Sequence, residues 1–170
     1  MNDETISGDL FEDVVLPALL SGASGVQHFF FSGRPIPLAR QRSAAIKTLN
    51  GKYRAIAFTP KQNITEKTRI YTACLRNAPV RWLPPYTVAL KFICEPLKTV
   101  KEIYPTSPSH GDTDNLVKLI FDSLFFDMDH KKRVNTIPIW QDDRHIINTL
   151  IMKRLPKAGE APGIHLWMVK

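Results

Sequence analysis

The stretch Asp112-Thr113-Asp114-Asn115-Leu116-Val117-Lys118-Leu119-Ile120-Phe121-Asp122-Ser123-Leu124-Phe125 sets the frame for the rest of the chain. Leu116, Leu119, Ile120, Ser123 and Leu124 recur at i, i+3, i+4, i+7 and i+8, the spacing of one buried helical face, and predict a helix over Asn115 to Phe125. Asp112, Asp114 and Asn115 stand at its start, and these are residue types that cap helices. At 100° per residue, Lys118 falls one turn beyond Asp114, on the flank away from the apolar stripe, together with Asp122.

Upstream, Tyr86 to Glu95 alternates Val88, Leu90, Phe92 and Cys94 on one face, which predicts a half-buried strand. Downstream, Ile146 to Leu155 and Ile164 to Val169 read as strands separated by the turn-rich Pro156 to Gly163. Val26 to Ser32 is a further strand, closed by Gly33-Arg34-Pro35-Ile36-Pro37. Tyr53 to Phe58 is a short one, and Thr59 to Asn77 has helical spacing, with Thr59 as a cap before Pro60. After the loop Asp127 to Thr136 comes the apolar run Ile137 to Gln141. Strand, helix, strand, helix, strand, strand predicts a two-layer α+β domain, with helices packed on a mixed β-sheet.

Residues 1–25 read as an acidic N-terminal appendage: a short helix over Leu10, Val14, Leu19 and Leu20, then the flexible Ser21-Gly22-Ala23-Ser24-Gly25. The domain proper is expected over residues 26–170. The chain carries a formal charge of +7, but its first thirteen residues hold five acids and no Lys or Arg, which leaves +12 on the remainder. Such a body attracts polyanions, so nucleic acid or an anionic membrane surface is the expected partner. Of the eleven acids after Asp13, seven are aspartates between Asp112 and Asp143, an acidic focus that suggests a metal site in a basic protein.

Cys74 and Cys94 have neither CxxC spacing nor a matching His pattern, and read as reduced core cysteines of a cytoplasmic protein. Val14 to Val26 contains Pro17, follows acids and is too short to span a bilayer, so no membrane partner is expected. Asp127-Met128-Asp129 opens like a calcium loop, but Lys132 and Pro138 replace its Gly and Glu, which argues against calcium there.

Two carboxylates one residue apart at a helix start converge readily on a cation, yet capping alone also accounts for Asp112 and Asp114. Trp140-Gln141-Asp142-Asp143-Arg144 brings adjacent acids to the end of an apolar run, or else forms a turn with an exposed acidic pair. Lys118 is either a catalytic cation or one half of an ion pair with Asp122. Two acids, a lysine and a second acid pair in one basic protein together match metal-assisted phosphodiester cleavage. Oxygen-only donors suit magnesium, with manganese as a substitute.

Asp112-Thr113-Asp114-Asn115-Leu116-Val117-Lys118, with the later Asp142-Asp143-Arg144-His145-Ile146, resembles the RusA family of Holliday junction resolvases. Gly33-Arg34-Pro35-Ile36-Pro37 and Arg40-Gln41-Arg42 fit that family's opening, and the likeness runs from about Val26 to Val169. It implies that Asp112, Asp114 and Asp143 ligate Mg2+, that Lys118 is a catalytic cation, and that Asn115 and Asp142 support the site. It also implies cleavage of four-way and related branched DNA and a cytoplasmic protein of bacterial or prophage origin. A two-fold symmetric junction nicked in two strands suits a homodimer. Arg34, Arg40, Arg42 and Arg54 are the expected DNA contacts. Two departures stand out: the stretch from Leu124 to Asp142 is longer than the family's, and His145 replaces Gln.

Two other classes compete. A non-catalytic basic DNA-binding module would use its aspartates only as caps. A DxD transferase should carry a nucleotide-binding loop, and neither G-x-x-x-x-G-K-[ST] nor G-x-G-x-x-G occurs among the eight glycines, so no small-molecule cofactor is expected.

Overall fold

The computed structural model describes residues 11–39, 42–58, 60–77, 84–98, 104–124 and 143–170. Asp142, Arg40, the 127–133 loop and the 137–141 run lie outside the described residues, and only the backbone of Arg42 is described.

A π-helical segment, Phe11–Val15, runs into α1 (Leu16–Ser21). It is followed by β1 (Val26–Ser32), β2 (Arg42–Lys47), β3 (Tyr53–Phe58), α2 (Lys61–Asn77), β4 (Tyr86–Ile93), α3 (Thr113–Leu124), β5 (Ile146–Arg154) and β6 (Gly163–Val169). Four strands form one sheet in the order β1-β6-β4-β5, with β6 antiparallel to β1 and β4 and with β4 parallel to β5. The α+β class and the mixed sheet are as expected. β2 and β3 form a separate antiparallel ribbon, and β2 was not anticipated.

One sheet face carries Phe29, Phe31, Val88, Leu90, Phe92, Ile164, Leu166 and Met168, which pack with Ile70, Tyr71 and Cys74 of α2 and Leu116, Leu119, Ile120 and Leu124 of α3. Fully burying one such large side chain contributes about 1.5–3 kcal/mol, so the α3 stripe accounts for much of what holds this helix in place. Cys74 and Cys94 are both buried in this core.

The other sheet face corrects two expectations. Phe11 and Leu16 pack on Ala89, Trp167 and Val169, with Leu19 and Leu20 alongside, so the described part of residues 1–25 is a short third layer rather than a loose appendage. β4 is accordingly buried on both faces instead of one. The apolar spacing of Phe11, Leu16, Leu19 and Leu20 is what covers the second face. Glu12 fixes the segment further: it pairs with Lys91, which is only 3% exposed, lies 3.5 Å from Arg154, and accepts from Lys157 Nζ at 3.0 Å. A lysine buried this deeply needs paired charge, because a stranded ammonium in an apolar setting is strongly unfavourable.

Glu160 completes this cluster. It accepts from Arg154 through both carboxylate oxygens and from the Lys157 backbone N–H at 2.9 Å, and the Arg154 hydrogen bonds hold its carboxyl down at about 2. Nearby, His28 Nε2 and His165 Nδ1 share a hydrogen bond of 3.0 Å with ring planes 4° apart, and Trp167 stacks on both. One shared proton suits two neutral rings, whereas two imidazolium rings would oppose N–H to N–H. Burial, helped by Lys91 and His28, pulls His165 down to about 4, while Glu160 acts weakly the other way.

Both shifts give the same sign. An imidazole depressed in the folded state binds fewer protons than in the unfolded chain, so stability falls as pH drops from about 6.5 toward 4. A depressed carboxyl adds a further loss from about 4.5 downward. Urea midpoints between pH 7 and pH 3 are expected to decline in two limbs, the upper flattened by His165→Phe and the lower by Glu160→Gln. A wild-type midpoint constant from pH 6.5 to 4 would refute the first limb.

Candidate active site

β4, α3 and β5 form a crossover in which the helix returns against two parallel strands. The start of α3 therefore lies toward the carboxyl ends of β4 and β5, the end at which open α/β sheets gather their ligands. Asp112 occupies the cap position of α3, its carbonyl accepting from Leu116 N at 3.1 Å, and Asp114 sits in the first turn. Both are exposed. A carboxylate in a first turn is favoured by the partial positive charge of the helix start, so the local sequence stabilises the pair without any ligand.

The turn that presents Asp112 is clamped from three directions. Gly111 has φ +71°, and a Cβ on it would meet Pro37 Cβ at 2.3 Å. Lys153 of β5 donates to the Gly111 carbonyl at 2.6 Å. Arg34, just past β1, donates to the Ser109 carbonyl at 2.7 Å, and Leu38 N donates to the Asn115 carbonyl at 3.2 Å. Arg34 thus uses one of its five donors to hold the turn, while its exposed position leaves others facing solvent. An open cleft of about 410 Å³ lies beside Asp112, lined by Tyr104, Thr106, Ser107, Gly111, Thr113 and Lys153 among others.

Lys118 is exposed and shares a helix flank with Asp114. The alternative ion pair with Asp122 does not form: Asp122 is bound by Lys67 of α2 at 2.8 Å. Asn115 is half-buried at the point where the β1–β2 connection meets α3. Arg54 is exposed on the separate ribbon.

Asp143 is exposed and opens the 3₁₀ turn Asp143–His145 that leads into β5. At about 3.3 Å per residue, Ile146 and Arg154 are separated by about 26 Å. Asp143 therefore belongs to one end of β5, whereas Lys153 ties Asp112 to the other. Among the described residues, no three His, Cys, Asp or Glu side chains gather into a group able to hold a metal ion. Spacing along the chain could not reveal this, because it depends on α3 running back against the strands.

Lys153 is the residue that the sequence reading passed over. It lies in a strand pattern read only for its apolar positions, and nothing local marks it as bound to the Gly111 turn. Comparison with family models, with curated proteins and with solved structures returned no match. Among the described residues, no helix is long and apolar enough to cross a membrane.

Proposed function

We propose that this chain is a Mg2+-dependent endonuclease acting on branched DNA, a Holliday junction resolvase of the RusA type working as a homodimer. The observation that carries the reading is the exposed Asp112 and Asp114 pair, on a clamped turn beside a lysine-lined cleft, in a chain of charge +7. Exposed carboxylate oxygens beside hydroxyls and backbone carbonyls suit a hard cation, with Mn2+ as a substitute. When bound, such an ion supplies the Lewis acidity for attack of water on a backbone phosphorus. Asp112 and Asp114 would hold it, and Lys118, on the flank of Asp114, would offer positive charge to the phosphate. Lys153 fixes the turn that carries Asp112.

Nicking of a four-way junction in magnesium, set against linear duplex of the same sequence, tests the reading. No cleavage of either would leave the binding-module alternative, which is favoured by the separation of Asp143 from Asp112 and Asp114. Lys118→Ala provides a second check. A surface lysine normally contributes less than about 0.5 kcal/mol to stability, whereas a phosphate-facing cation should lower the cleavage rate at least about tenfold, roughly 1.4 kcal/mol. An unchanged rate would leave Lys118 a solvated side chain.

A further inference from the structure

Among its described side chains, the β2–β3 ribbon has no core. Every side chain from Ser43 to Ile56 is exposed, including Ile46, Leu49, Tyr53 and Ile56, and the two strands pack chiefly on each other. An isolated two-stranded hairpin is marginal in water, so an element of this kind is built to lie against something. We propose that the ribbon is a DNA arm that lies in the major groove of one duplex arm of the substrate. The inference rests on the nucleic-acid reading above and names how the duplex is held.

Charge identifies the occupant. Residues 42–58 contain Arg42, Lys47, Lys52 and Arg54 and no Asp or Glu. The register sets Arg54 opposite Ile46 on one face and Lys47 opposite Tyr53 on the other, and Lys52 closes the turn. Both faces and the tip therefore offer cations, as the two phosphate walls of a groove require. A second copy of the chain is the other conceivable occupant, through Ile46 and Ile56, but two such ribbons would bring four cations against four with no carboxylate between them.

Dimensions agree. Six residues extend about 20 Å, and two strands about 4.8 Å apart enter a groove about 12 Å wide that is known to admit a two-stranded ribbon. Thr48-Leu49-Asn50-Gly51 makes the tight turn, in which Gly51 N donates to the Thr48 carbonyl at 2.9 Å and Gly51 takes φ +74°.

The segment leading toward the ribbon is fixed near the acid pair as far as Ala39. Buried Asn63 of α2 brackets Ala39, donating to its carbonyl at 2.8 Å and accepting from its N–H at 3.1 Å. Leu38 is tied to Asn115, next to Asp114. A duplex gripped by the ribbon is thereby brought toward Asp112 and Asp114.

The test is DNA binding by the full chain, measured by fluorescence anisotropy against salt in EDTA, so that nicking does not enter. Each phosphate contact contributes about 0.9 to the slope of log affinity on log salt, so Lys47→Gln/Lys52→Gln/Arg54→Gln is expected to lower it by about 2.7 with the thermal midpoint unchanged. Lys52→Gln alone, at the turn where no packing is disturbed, should lower it by about 0.9 and serves if the triple variant misfolds. A triple-variant fall of less than about one, the share of a single phosphate, overturns the arm. So does Ile46→Ser/Ile56→Ser converting a dimer to a monomer in light scattering, which would make the ribbon an interface between copies. A chain that binds and loses slope as expected but never nicks would sink the nuclease reading alone.

Discussion

Asp114→Asn is expected to slow magnesium-dependent nicking of a four-way junction about a thousandfold, a loss of about 4 kcal/mol of transition-state stabilisation, while junction affinity stays near wild type. Affinity should persist because phosphate contacts supply most of it, and the expected contacts lie elsewhere, on the ribbon and around Arg34. Stability should change little, since Asp114 is exposed and loses at most the roughly 0.3–1 kcal/mol of its interaction with the helix start. Asp112→Asn is expected to behave alike. A nicking rate near wild type in both variants would reduce the two aspartates to helix caps. The same change at Asp143 separates two arrangements. A loss equal to that of Asp114→Asn would mean that the ligand set spans two copies of the chain, because one chain sets Asp143 at the far end of β5. A near-normal rate would mean that Asp112 and Asp114 work without it.

What the sequence made legible follows from the range of the interactions involved. α3 could be read because four large apolar side chains at helical spacing leave few other ways to bury them, and β1, β3, β5 and β6 fall within a residue or so of their expected bounds. β2 escaped because Ser43, Ala44 and Ala45 carry little strand signal, although Asn50-Gly51 is a hairpin turn sequence and pointed to it. The N-terminal helix was visible, but its docking was not: Phe11 and Leu16 look for an apolar surface that only the folded sheet supplies. The acid pair was legible as an Asp112-Thr113-Asp114 motif. The clamp that presents it was not, since Pro37, Gly111 and Lys153 meet only in three dimensions.

That clamp is where a single methyl group should do most harm to the fold. Gly111→Ala is expected to cost about 2–6 kcal/mol. The backbone at φ +71° and ψ 163° lies in a region essentially confined to glycine and penalises any side chain by about 1–3 kcal/mol, and forcing a methyl into occupied space adds about 1–3. The space is occupied by the Pro37 ring, with Cβ at 2.3 Å and Cγ at 2.6 Å from the added carbon, and a proline ring cannot swing aside as a long side chain can. Gly159 is the internal control: its φ is +78°, but nothing lies within 4 Å of an added Cβ, so Gly159→Ala should cost only the backbone share. Urea midpoints of the two variants measure the difference directly. On the nuclease reading, Gly111→Ala should also lower the nicking rate in the fraction that stays folded, because relief of the clash must move the turn that holds Asp112. Equal stability losses at Gly111 and Gly159 would mean that Pro37 yields freely and that the turn is not clamped.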